Sequence, residues 1–172
     1  MRRVTDVAPA GLVPAAWLVT IAAHVSAIST RTLFIALVVM DALLVAFFVA
    51  GREEMTGRVL RVWLGVLVAG LAVTLVGTAD MALGPASNPA LPVTLYGWMI
   101  LPGVAYLQTG RLVAVSLYRQ VYVGAGALSL VGVGLYAAAH VGPLVAAGLI
   151  WGLGVVGVGQ SVGMVTAAVQ NT

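Results

Sequence analysis

The sequence predicts an all-α fold: a polytopic integral membrane protein built as a bundle of six transmembrane helices in one domain, residues 1–172. Three observations carry this. Hydrophobic residues make up 62% of the chain and charged residues 8%, against the ~25% charged residues of a soluble domain. That leaves too few charges to cover a water-facing surface. The apolar residues also gather into six runs, each close to or above the ~20 residues that cross a hydrocarbon core of ~30 Å. Finally, seven of the eight arginines fall on one side of a six-span arrangement.

Taken in order, the spans are expected at about 11–28, 32–50, 62–79, 93–108, 121–139 and 144–169. A short polar tail with Arg2, Arg3 and Asp6 precedes the first span, which has Pro14 in its opening turn, where a missing N–H matters least. The second span is TLFIALVVMDALLVAFFVA, with Asp41 at its centre. The most charged stretch follows, GREEMTGRVLR, with Glu54 and Arg58 in the favourable i, i+4 order. The third span carries Gly65, Ala69 and Ala72 on one face, which would admit a close neighbour. DMALGPASNPALP then reads as an irregular loop. In the fourth span Pro102 cannot donate to the Trp98 carbonyl and crowds it, so a kink and a freed carbonyl are expected. The stretch 109–120, bracketed by Arg111 and Arg119, reads either as an interfacial turn or as an early start of the fifth span.

Arg2, Arg3, Arg52, Arg58, Arg61, Arg111 and Arg119 lie together on this topology and only Arg31 lies opposite. The positive-inside rule then places both termini in the cytoplasm and the chain in the cytoplasmic membrane. A five-span count would put the C-terminus outside. The net charge of +3 comes from loop arginines, so its role is topological, and no nucleic-acid partner is expected. With no cysteine there is no disulfide, thiolate chemistry or zinc cluster. No three-helix repeat and no hydrolase, metalloprotease or P-loop motif occurs.

Three features could carry chemistry. Counting from Thr32, Asp41 lies roughly 13 Å into its span at ~1.5 Å per residue, near the midplane. A charge there costs about 2.5–3.5 kcal/mol on insertion scales, so a partner from another helix is expected. Thr20 is the nearest polar candidate, with Ser129, Gln160 and the Trp98 carbonyl in the same layer. Together they could hold a proton or cation, or Asp41 could be a protonated anchor between two helices.

His24 and His140, on spans running in the same direction, could ligate a haem or, with Asp80, a metal. Neither cofactor nor metal is expected. Gly148, Gly152, Gly159 and Gly163 fall within about 60° on the sixth span at ~100° per residue. They form a packing surface for a helix of the same chain, or for another copy or subunit.

The leading expectation is a non-enzymatic membrane protein of packing, assembly or accessory-subunit role, with the lipid bilayer and a homo-oligomer or membrane complex as partners. The alternatives are a small proton- or cation-coupled transporter or channel using Asp41, and a haem-bearing redox subunit.

Overall fold

A computed structural model describes residues 4–53, 55–84, 88–141 and 145–170. Six helices account for nearly all of them: α1 (Val4–His24), α2 (Thr30–Gly51), α3 (Arg58–Leu83), α4 (Leu91–Leu112), α5 (Ser116–Ala139) and α6 (Val145–Gln170). Among these, α2, α3, α5 and, from Ala147 onward, α6 are long and apolar enough to cross a membrane. Their outward faces carry large apolar side chains, Val49, Val68, Val131 and Trp151 among them, all more than half exposed. Large apolar surface of this kind suits a lipid solvent.

α1 and α4 are not among those four, for different reasons. Among its described side chains α1 gives Ala10–His24 as a shorter apolar stretch. α4 has the length, but Thr94, Tyr96, Trp98, Tyr106, Gln108, Thr109 and two prolines dilute its apolar character. Much of that polarity faces protein: Thr94, Met99, Pro102, Gly103, Ala105, Tyr106, Thr109 and Gly110 are buried. A helix enclosed by neighbours needs less apolar surface than one facing lipid.

Each helix packs on its chain neighbours, and α1 closes the ring on α6. The α5–α6 pair is the most extensive contact, and α1–α2 and, across the ring, α4–α6 are equally the slightest. Two apolar cores fill it. Trp17, Met99, Tyr136, Leu153 and Val156 form one, with Tyr96 at its edge. Tyr106, Tyr122 and Ala125 form the other, flanked by Trp63 and Tyr118.

Several boundaries differ from the sequence reading. The first helix begins within the stretch read as a polar tail and stops at His24, short of residue 28. Its end is a Schellman turn: Ala27 N–H donates to the Ala22 carbonyl (2.8 Å) and Ser26 N–H to that of Ala23 (3.1 Å). Ser26 takes the left-handed conformation, φ 56°, that glycine usually fills. Ser29 then caps α2, its Oγ accepting from Thr32 N–H at 3.1 Å.

α3 runs on through Asp80 to Leu83, and α4 continues to Leu112. The ambiguous 109–120 stretch therefore resolves into the end of α4, a three-residue link and an early start of α5. Glu54 and Gly142-Pro143 lie outside the described residues.

The small-residue face expected on α3 is not the one that packs. Gly65 and Ala72 are exposed, and a Cβ on Gly65 would meet nothing within 4 Å. The close approach is made instead by Gly70, which lies under the Trp98 ring (a Cβ would come within 2.6 Å of it), and by Gly77 beneath Thr94.

The glycine face of α6 is taken up inside the chain. A Cβ at Gly148 would come within 2.8 Å of Ala139 Cβ, one at Gly152 within 2.7 Å of the Tyr136 backbone, and one at Gly159 within 2.8 Å of the Ala125 carbonyl. Gly163 packs against the Tyr106 ring. Of the occupants expected for this surface, the structure supplies a neighbour within the chain. Gly157, on the opposite face, lies under Trp17, while Gly154 faces open space.

Candidate functional site

A belt of buried polar side chains runs from α2 through α3 and α4 to α6 and α1. It begins at Asp41, which is 9% exposed although α2 is otherwise the most peripheral helix. Its Oδ2 lies 2.7 Å from the Thr78 hydroxyl of α3. The partner thus comes from another helix, as expected, but it is Thr78 and not Thr20. Thr20 turns its hydroxyl back to the Ala16 carbonyl of its own helix (2.9 Å).

Thr78 lies five residues before the end of α3, and the next residue back, Gly77, packs on Thr94 three residues after α4 begins. Asp41 is therefore central in α2 but meets its neighbours about 7 Å from the end of α3, at ~1.5 Å per residue. Counting depth along α2 alone places it farther from that end than its packing does.

α3 supplies the next link. Thr74, fully buried, donates to the Gly70 carbonyl (2.7 Å) and accepts from Trp98 Nε1–H of α4 (2.8 Å). Back-bonding of this kind hides a hydroxyl proton within its own helix and leaves the oxygen as an acceptor for a neighbour. Thr94 donates across the same interface to the Val73 carbonyl (2.6 Å).

Gln160 closes the belt. Pro102 frees the Trp98 carbonyl, as its position in the sequence implies, while α4 remains helical through it. The Gln160 amide of α6 donates to that carbonyl at 2.9 Å and more weakly to that of Met99 at 3.4 Å. Its Oε1 accepts from Trp17 Nε1–H of α1 (3.1 Å), and its backbone carbonyl accepts from the Tyr106 hydroxyl (2.8 Å). One side chain thereby ties three helices and satisfies the carbonyl that a proline leaves open. Ser129, placed in the same layer by sequence, does not join: its hydroxyl returns to the Ala125 carbonyl (2.8 Å), and the side chain fills the space between Gly103 and Gly159.

His24 and His140 meet around Tyr136. A carbonyl can only accept, so His24 Nδ1–H donates to Thr20 O (2.9 Å), while Nε2 is hydrogen-bonded to the Tyr136 hydroxyl (2.9 Å). His140 caps α5 and donates Nδ1–H to the Tyr136 carbonyl (2.9 Å). Both imidazoles stand edge-on to the Tyr136 ring, with centroids 5.7 and 5.0 Å away. A haem ligated by both would need a free nitrogen on each, aimed into one gap. His24 has none, so this donor set does not fit the group. Asp80 is likewise engaged, its Oδ2 accepting from Ala90 N–H (2.8 Å) at the start of α4. Among the described residues no group of three or more His, Asp or Glu is placed to hold a metal.

Sequence reasoning missed Thr74, Thr78 and Trp98 Nε1–H. The available signal was Gly70, Thr74, Gly77 and Thr78, spaced i, i+4, i+7, i+8 on one helical face. Comparison with protein-family models, with curated proteins and with solved structures finds no match.

Proposed function

We propose that the chain is a non-enzymatic integral membrane protein with a structural or assembly role, an accessory subunit of a membrane complex or a homo-oligomer, working without a cofactor. In this reading all six helices cross the cytoplasmic membrane and both termini face the cytoplasm, in keeping with the arginine distribution. The observation that carries it is Gln160. The most polar side chain at the centre of the ring has its amide hydrogens and its oxygen engaged in joining α1, α4 and α6. Interhelical hydrogen bonds of this sort average ~0.6 kcal/mol in membranes and reach ~1.7, enough to fix helix orientation. Because the glycine face of α6 is occupied internally, the reading assigns any contact with a partner to other surfaces.

A second reading, proton- or cation-coupled transport or conduction, is favoured by one atom. Asp41 Oδ1 is the only buried side-chain polar atom without a hydrogen-bond partner among the described residues. Reconstitution separates the two. A structural protein should give proteoliposomes whose proton and monovalent-cation fluxes match those of empty vesicles, with Asp41→Asn indistinguishable from wild type. Flux in the wild type that Asp41→Asn abolishes contradicts the structural reading in favour of the second.

A further inference from the structure

Thr78 Oγ1 has two close oxygens, Asp41 Oδ2 at 2.7 Å and the Thr74 carbonyl at 3.0 Å. A hydroxyl has one proton to donate, and a carbonyl has none. The two contacts are both full two-centre hydrogen bonds, and not a single proton split between two acceptors, when Thr78 donates to Thr74 and receives from Asp41. That order makes Oδ2 the protonated oxygen of a carboxylic acid.

The other oxygen points the same way. Oδ1 is buried and meets no donor among the described residues. In a carboxylate it would carry half of a buried negative charge with no donor to stabilise it, which is strongly unfavourable. In the acid it is a neutral carbonyl oxygen, whose missing hydrogen bond costs far less than a stranded charge. We propose that Asp41 is a proton-binding site, occupied by a proton and not by a metal cation, with the proton on Oδ2 shared toward Thr78.

The surroundings argue against a cation. Hard cations such as Ca²⁺ take ~6–8 oxygen ligands. Among the described residues the carboxyl and the Thr78 hydroxyl are the side-chain oxygens brought together, and the next hydroxyls along α3 and α4 are committed elsewhere. Thr74 donates to Gly70 O, and Thr94 to Val73 O.

Nor, among the described residues, does any cationic side chain neutralise a carboxylate here. The helices packed on α2 are α1 and α3. At this end of α3 the titratable group is Asp80, bonded to Ala90 N–H; Arg58 and Arg61 stand at its other end. On α1, among the residues whose side chains are described, it is His24, its nitrogens bonded to Thr20 O and Tyr136 Oη. Arg31, on α2 itself, is exposed and ten residues away.

The inference identifies the occupant of the site invoked by the second reading above, and it holds whether or not that proton moves. Infrared spectroscopy of the purified protein at neutral pH tests it. The chain has three aspartates, Asp6, Asp41 and Asp80, so ¹³C-aspartate labelling marks few bands and requires no substitution. A labelled carboxylic-acid C=O stretch is expected, lost in Asp41→Asn and displaced in Thr78→Val, where the acceptor is gone. Labelled carboxylate bands with no acid band overturn the proposal, as does an acid band that survives in Asp41→Asn. An acid band without proteoliposome flux supports this inference and removes only the coupling reading.

Discussion

Gln160→Leu should be the most damaging single change to a buried polar residue, with a loss of about 2–3 kcal/mol of folding free energy. The substitution is close in volume, so the loss comes from the groups left behind. Trp17 Nε1–H and the Trp98 carbonyl each lose their partner inside the bundle, at about 1–3 kcal/mol for a stranded buried group. The lower part of that range is adopted because the unfolded chain in a membrane also finds partners for its polar groups. Denaturation in mixed micelles of rising SDS content reads the loss as a shifted midpoint. Thr20→Val, which removes only a hydroxyl bonded to its own helix, should shift it little. A Gln160→Leu midpoint equal to that of the wild type would mean that the belt does not hold the ring together.

Gly152→Leu should disrupt the monomer itself, with a cost of about 3 kcal/mol or more, since overpacking typically costs 1–3 and the obstructing atoms are backbone. A Cβ there would come within 2.7 Å of Tyr136 N and 2.8 Å of its Cα, and neither can move without separating α5 from α6. Gly154, half a turn away, has nothing within 4 Å of the same construction, so Gly154→Leu should leave stability within ~0.5 kcal/mol, as surface substitutions usually do. The pair separates packing within the chain from packing between copies. Native gels of Gly152→Leu that show a stably folded monomer released from an oligomer would contradict the internal assignment.

The apolar runs and the scarcity of charge identify the class because lipid exposure leaves no room for alternatives. The place of Gln160 was also legible: Pro102 must leave a carbonyl open near Trp98, and few residues in that layer can reach it. The partner of Asp41 was not. It depends on how α2 slides against α3, and apolar runs do not set that register. Thr78 stood one residue from the end of the expected third span. α3 in fact runs on to Leu83, which makes Thr78 a packed residue. The end of α1 was hidden for a local reason, since its left-handed turn is made by Ser26 where a glycine would have marked it. The packing face of α3 was missed because Gly65, Ala69 and Ala72 outweighed a face on which two of the small residues are threonines. A threonine bonded to its own helix packs as a small side chain and still offers an oxygen.

The proposal of six membrane-crossing helices is tested most directly at α4, which lies outside the four helices that qualify by length and composition. The chain has no cysteine, so single cysteines at Leu83, Val115 and Val141, all well exposed at helix ends, give unambiguous labelling by a membrane-impermeant thiol reagent. Six spans require Leu83→Cys and Val141→Cys to react from one side of the membrane, and Val115→Cys to react from the other. Labelling of Leu83→Cys and Val115→Cys from the same side would show that α4 does not cross and would contradict the fold's placement in the membrane.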